Sequence, residues 1–181
     1  MTNFVRIIRG KYKTRKYKFP KGFPSRPTTD FAKEGLFNIL EHNYKNSNLN
    51  ILDLCVGTGS ISIEFLSREI GKVVAVDNNQ KVIKHLKSVI KKLNCEDEIT
   101  VYKSNLITFL ENTELQFDLI FADPPYSFKD YDSIIKLIYN RNILNENGVL
   151  IIEHWKNIEL ENLKQFKFSR IYGNVKFSFF E

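Results

Sequence analysis

From Asn50 onward the apolar and polar positions repeat one unit: a short apolar run, a turn, then an amphipathic stretch with the spacing of a single helix face. The pattern predicts strands near 50–54, 72–77, 98–103, 117–122 and 148–154. Helices are predicted between them, near 59–69, 79–93, 105–112 and 130–140. Such alternation implies a mostly parallel sheet covered by helices on both faces, an α/β doubly wound architecture. The two ends depart from it. Alternation in Val5-Arg6-Ile7-Ile8 and around Tyr17-Lys18-Phe19 predicts a small N-terminal β element that turns near Gly10. Thr28 or Thr29 then caps a helix running through Leu36, Phe37 and Leu40, with Asp30 at its positive end. At the far end Phe166 and Phe168, then Val175, Phe177 and Phe179, alternate on either side of Tyr172-Gly173-Asn174, which predicts a terminal β-hairpin.

A length of 181 residues with 43% hydrophobic content suits one domain spanning 1–181. No uncharged stretch is long enough for a membrane span, and Arg6 and Arg9 interrupt the apolar region a signal peptide needs, so a cytoplasmic protein is expected. Cys55 and Cys95 are far apart and the three histidines are scattered, which predicts free thiols and no metal. His42, His85 and His154 read as surface or hydrogen-bonded structural residues, since no triad partner is recognisable.

The net charge of +6 gains meaning once divided along the chain: residues 1–29 hold nine Lys/Arg and no acid, leaving 18 basic against 21 acidic residues afterwards. Arg9, Lys11, Arg15 and Arg26 are interleaved there with Phe4, Tyr12, Tyr17, Phe19 and Phe23, a composition suited to phosphate contacts and stacking. Residues 1–27 are therefore expected to be a basic RNA-binding extension, separable from the cofactor site. Arg26 can bind a cofactor carboxylate or an RNA phosphate, or form an ion pair with the following helix.

Ile51 to Gly59 runs off the first parallel strand into a helix, and Gly57 and Gly59 let a ligand approach the backbone. Asp77 ends the next strand twenty residues after Gly57, where a carboxylate accepts hydrogen bonds from ribose hydroxyls. A dinucleotide fits poorly. The third glycine of its fingerprint is Ser62, and Asp53 places negative charge where a pyrophosphate would lie. S-adenosylmethionine has an ammonium, a sulfonium and no phosphate, so Asp53 can serve its methionine end. Asn105, after the third strand, can offer an oxygen to the adenine amino group or cap a helix, or do both.

Asp123-Pro124-Pro125-Tyr126 closes the buried run Asp118–Ala122 and is the most specific segment of the chain. Prolines cannot extend a central strand. The Asp123 carboxylate and the Pro124 carbonyl can both accept from one –NH2 group, turning its delocalised lone pair toward a methyl donor. A nucleobase carries such a delocalised amine, and Tyr126 can stack on its face, with Pro125 lying against it. In a doubly wound sheet the Gly57 and Asp123 loops should face one crevice.

With these residues in place, the sequence resembles the bacterial 16S ribosomal RNA guanine-N2 methyltransferases that modify guanine 966, the RsmD-like family. The resemblance covers nearly the whole chain. It rests on Arg6 to Lys11, Arg26 to Asp30 with Glu34 and Leu36-Phe37-Asn38, the Asp53–Gly59 loop with Glu64, Ser104-Asn105, and Asp123–Tyr126. Cys55-Val56 stand where that family commonly has Phe-Ala. The resemblance implies a seven-stranded, Rossmann-like class I methyltransferase fold, with S-adenosylmethionine bound around Asp53, Gly57, Asp77 and Asn105. It further implies guanine received by Asp123–Tyr126. The expected partner is 16S ribosomal RNA, either free or within an assembling small subunit, and a monomer is expected. Two alternatives stand beside it: an amino-methyltransferase acting on DNA adenine or a protein glutamine, and a non-catalytic RNA-binding protein that keeps the fold.

Overall fold

The structure, a computed structural model, describes residues 3–44, 48–125 and 127–181. Strands β1 (Phe4–Arg6) and β2 (Lys16–Lys18) pair antiparallel as the expected N-terminal β element. Helix α1 (Asp30–Tyr44) follows, and the two candidate caps divide their work. The Thr29 hydroxyl accepts from the Ala32 N–H at 3.2 Å, while the Thr28 hydroxyl is spent elsewhere.

The alternating region folds as β3 (Leu49–Leu54), α2 (Ser60–Ser67), β4 (Gly71–Asp77), α3 (Gln80–Leu93), β5 (Ile99–Lys103), α4 (Leu106–Asn112), β6 (Phe117–Ala122), α5 (Tyr131–Asn140) and β7 (Leu144–Trp155). A hairpin of β8 (Phe166–Tyr172) and β9 (Val175–Phe180) ends the chain, with Gly173 at φ +67° in its turn. The seven-stranded sheet has the order β5-β4-β3-β6-β7-β9-β8. Pairings β4–β3–β6–β7 and β4–β5 are parallel; β9 runs antiparallel to both neighbours. The chain winds from β3 outward to β5 and then crosses to β6, so the topology reverses between β3 and β6, and a ligand crevice belongs at their carboxyl ends.

Side chains alternate across each strand, which builds two cores. Ile51, Leu119, Phe121, Val149 and Ile151 pack under α1, α2 and α3; Leu52, Ile120, Leu150 and Ile152 pack under α4 and α5. Helix α2 is buried along its whole length. In the first core Phe37 and Phe65 meet edge to face at 4.8 Å.

The N-terminal segment belongs to that first core. Val5, Ile7, Tyr12 and Tyr17 are all buried in it. Its backbone is held by one carboxylate: Glu64 of α2 accepts from the Ile8 and Arg9 N–H groups at 2.9 and 3.0 Å and from Arg68 Nε at 2.8 Å. The buried Lys33 ammonium stands 3.6 Å from Glu64 and donates to the Arg6 carbonyl at 2.6 Å. Burial pulls the Lys33 pKa down, against the opposing pull of Glu64 and Asp30.

One strand boundary differs from expectation. β7 begins at Leu144 rather than 148, because Asn145-Glu146-Asn147-Gly148 forms an irregular stretch within the strand, with Asn147 at φ 62° and a register shift against β6. The polar, turn-forming composition concealed it.

Candidate active site

A cleft of about 710 Å³ opens at the switch point, and both motif loops line it. On its cofactor side, Cys55 and Gly57 adopt left-handed backbone at φ 64° and 53° as the chain leaves β3. A side chain at Gly57 would meet the Ser25 hydroxyl at 2.8 Å, so glycine is what lets the strap Phe23–Arg26 close over the loop. The Gly57 N–H donates to Asp77 Oδ2 at 3.0 Å and the Asn79 N–H to Oδ1 at 2.8 Å. Asp77 is thereby fixed facing the cleft. Burial raises its pKa, and these backbone donors oppose the rise.

Asn105 also lines the cleft, and its side-chain oxygen caps α4 by accepting from the Ile107 N–H at 2.9 Å. Val82, Leu106, Ile107 and Phe128 supply apolar walls suited to an adenine ring. Burial, reinforced by Asp77, Asp123 and Asp53, pushes the Cys55 thiol far above its ordinary range, so it is neutral wall material. Gly59 does not line the cleft; its φ of 78° starts α2, and a side chain there would strike Leu86 at 2.7 Å.

Beneath the loop is a pocket of about 20 Å³ bordered by Ser25, Arg26, Asp53, Gly57, Ser60 and Asp123. Asp53 accepts from the Ser62 hydroxyl, yet no ion pair reaches Asp53 or Asp123 from any described residue. Burial is the main reason the Asp53 pKa rises to about 7, the Ser62 hydrogen bonds opposing it and Asp77 adding to it. The Ser25 and Ser60 hydroxyls are buried without hydrogen-bond partners among the described residues. Unpaired carboxylates and orphaned hydroxyls around a small polar space suit an ammonium group with donors to share. S-adenosylmethionine fits this donor set; a pyrophosphate does not.

On the acceptor side, the Asp123 N–H donates to the Leu54 carbonyl at 3.2 Å, tying the segment after β6 to the end of β3. Burial raises the Asp123 pKa well above the carboxylate range, with Glu153 and Asp53 adding to it. The Pro125 carbonyl closes a turn by accepting from the Phe128 N–H at 2.7 Å, whereas the Pro124 carbonyl accepts nothing from another described residue. Asp123, Pro124 and Pro125 therefore stand together in the cleft. Tyr126 lies outside the described residues.

The basic candidates separate. Arg26 is exposed at the cleft and forms no ion pair with a described residue, the following helix included; Asp30, the acid at the start of that helix, pairs with Arg6 at 2.8 Å. Arg9 pairs with Glu41 at 2.7 Å, Lys11 with Glu98 at 2.6 Å, and Arg15 sits over the Tyr12 ring at 5.5 Å. The Lys11 N–H reaches the Ser67 carbonyl, so this group surrounds the far end of α2, a helix length of roughly 12 Å from the Gly57 loop. His154 bonds Ser178 and the Trp155 carbonyl, the structural role expected of it.

Two features escape a motif reading. The strap Phe23–Ser25 walls the cleft from a distant part of the sequence. Glu153, which follows the apolar run Val149–Ile152 of β7, sits one step beyond the Ala122–Ile152 pairing and so lies beside Asp123. The period of two from Val149 could have signalled its side.

The Gly57 loop and Asp77 face Asp123 and Pro124 across this cleft, and the fold around it is that of the methyltransferases. The E. coli structure of yhhF superimposes with a TM-score of 0.85 at 25% identity, covering 98% of this chain and 97% of that one. YlbH of Bacillus subtilis is 34% identical over 86% of this chain and 85% of its own length. Ribosomal RNA small subunit methyltransferase D of Haemophilus influenzae is 34% identical over 84% of this chain and 80% of its own. The family described as Conserved hypothetical protein 95 matches residues 5–181. The chain belongs to that family, and the resemblance to the RsmD-like methyltransferases is borne out.

Proposed function

We propose that this protein methylates the exocyclic N2 amino group of a guanine in 16S ribosomal RNA, using S-adenosylmethionine and acting as a cytoplasmic monomer on an assembling small subunit. The observation that carries the reading is the meeting of Asp77 and the Gly57 loop with Asp123 and Pro124 in one cleft. When bound, the cofactor supplies an electrophilic methyl group on a sulfonium. Asp77 accepts from the ribose, Asp53 faces the ammonium, and Asn105 borders the adenine. Arg26, exposed at the rim, takes the cofactor carboxylate or an RNA phosphate.

Asp123 and the Pro124 carbonyl accept the two protons of the amine and set its lone pair toward the methyl carbon. Orientation and charge stabilisation are the contributions asked of them. Tyr126 and Pro125 are assigned to the base, and Arg9, Lys11 and Arg15 to a more distant RNA contact that competes with their internal partners.

The test is tritiated-methyl incorporation into immature small subunits, with the product nucleoside identified by mass. Asp123→Ala should lower transfer by roughly 10²–10³-fold, the usual scale for one oriented electrostatic contact, with cofactor affinity changed by less than about threefold. Near-normal turnover would refute the assignment of Asp123. N6-methyladenine, or methyl on a protein amide, would keep the chemistry and overturn the substrate.

A further inference from the structure

Asp53 near the end of β3, Asp123 just after β6 and Glu153 near the end of β7 share one side of the sheet. Asp53 shares the side of Ile51, Asp123 that of Leu119 and Phe121, and Glu153 that of Val149 and Ile151, all members of the first core. Asp123 and Glu153 follow the paired residues Ala122 and Ile152 on adjacent parallel strands, a spacing of about 4.8 Å between backbones. Glu153 is 7% exposed and is clamped by the Thr28 hydroxyl, which donates to Oε2 at 2.9 Å.

Its other surroundings offer no unengaged cation among the described residues. Phe177 is its cross-strand neighbour on β9, Asp53 and Asp123 are acidic, and the buried Lys33 is engaged with Glu64 and the Arg6 carbonyl. Arg26 borders the small pocket with Asp53 and Asp123 but pairs with neither. The carboxylates do not form a metal-ligand set among the described residues. Ser60, 4% exposed and without a hydrogen-bond partner among the described residues, lines the same pocket and marks it as a place for a bound polar group.

We propose that Glu153, held by Thr28, is a positioning residue that makes Asp123 the proton acceptor for the methylated amine. This role rests on the function proposed above. The amine nitrogen forms its bond to the methyl carbon while the sulfur keeps the electron pair of the broken C–S bond. The nitrogen, now positive, passes a proton to the ionised Asp123 carboxylate and keeps the N–H electron pair. Asp123 becomes a neutral acid and returns its proton to water as product leaves. A second carboxylate beside it strengthens its hold on that proton, since like charges in a buried site resist joint ionisation. Burial raises the pKa of both groups; at Glu153 the Thr28 hydrogen bond opposes the rise and Asp53 adds to it.

Glu153→Gln keeps the volume and an oxygen for Thr28 but removes the charge. Two readouts are compared in the full-length protein: the carboxyl NMR titration of Asp123, and the acid limb of the single-turnover pH–rate profile with immature subunits. Both midpoints should fall together by about one to two pH units, as expected for loss of a like charge about 5 Å away at an intermediate dielectric. Cofactor affinity should stay within about threefold, and Glu153→Asp should restore the wild-type midpoint. Thr28→Val, which should fold if Glu153→Gln does not, should move both midpoints the same way by less, because Glu153 without its donor is neutral over more of the range. An unshifted Asp123 titration, or a rate that drops without movement of its acid limb, would overturn the role and leave the methyltransferase reading intact. No transfer by the wild-type protein at any pH would overturn both.

Discussion

Gly57→Ala tests whether the cofactor loop, Asp77 and the strap act as one unit. The residue lies at φ 53°, where a Cβ costs about 1–2 kcal/mol. The added carbon would stand 2.8 Å from Ser25 Oγ and 3.1 Å from Ser25 Cβ, so the strap must move outward. The Gly57 N–H···Asp77 bond is disturbed as well, and a bond to a charged acceptor is worth about 1.5–3 kcal/mol. The expected result is a stability loss of about 1–2 kcal/mol, or roughly 2–8 °C in Tm for a chain of this size. Cofactor affinity, measured calorimetrically, should fall about 10–100-fold, the equivalent of about 1.4–2.8 kcal/mol. Ser25→Gly should recover part of the affinity in the double variant by relieving the contact, without recovering the backbone cost. Gly59→Ala is the control: φ is 78° and the clash is with the end of the Leu86 side chain, away from the cleft. It should lose comparable stability and keep cofactor affinity. Wild-type affinity in Gly57→Ala, or an equal loss of affinity in Gly59→Ala, would refute the reasoning.

Glu64→Ala should destabilise the protein by about 3–5 kcal/mol in chemical denaturation, since it removes the buried carboxylate that Lys33 and Arg68 share, leaving Arg68 only Glu41 and Lys33 only the Arg6 carbonyl and the more distant Asp30, and leaves two backbone N–H groups unpaired; a change below about 1 kcal/mol would refute the anchoring role. The pH dependence of ligand-free stability should be unusual. Asp53, raised to about 7, and Asp123 and Glu153, also raised, favour the folded state when protonated, so their contribution is full below the ordinary carboxylate range and is lost as pH rises through the folded values. His85 and His154, both lowered by burial, work the opposite way below about pH 6.5. Stability should therefore fall as pH rises from about 6.5 to 7.5, and cofactor affinity should rise over the same range as Asp53 ionises; a flat denaturation midpoint and flat affinity there would refute the buried-carboxylate account.

The parts legible in the sequence were those whose cause is local. A strand ending in glycines, or in a carboxylate and two prolines, carries its own geometry, so Gly57, Asp77, Asp123 and Pro124 could be placed before any contact was known. Asn105 and Thr29 likewise announced themselves as caps, and the structure uses both as caps. The hairpin followed from alternation around Tyr172-Gly173-Asn174. What stayed hidden depends on partners far along the chain. Thr28 is the equal of Thr29 as a cap in sequence, and only the approach of β7, 125 residues away, diverts its hydroxyl to Glu153. Arg9 and Lys11 look like free phosphate ligands until Glu41 and Glu98 fold against them, 32 and 87 residues distant.

The same nonlocal packing changes what the N-terminal segment means. Composition suggests a basic arm whose removal would weaken RNA contact and spare the cofactor. The fold instead buries Tyr17 in the first core and packs Phe19 against it, with Phe19 and Phe23 5.8 Å apart and Phe23 edge-on to His85 of α3 at 5.0 Å. That aromatic run fixes the strap that walls the cofactor cleft. Burying each such ring contributes on the order of 1.5–3 kcal/mol, more than an exposed ion pair like Lys11–Glu98 at about 0–1 kcal/mol. Loss of residues 1–22 would thus free the strap and strip part of the core before any phosphate contact was counted, so RNA affinity and cofactor affinity should fall together. Charge reversal of Arg15, whose guanidinium lies over the Tyr12 ring and pairs with no carboxylate among the described residues, separates the two, because it removes positive charge from the surface and leaves the strap in place.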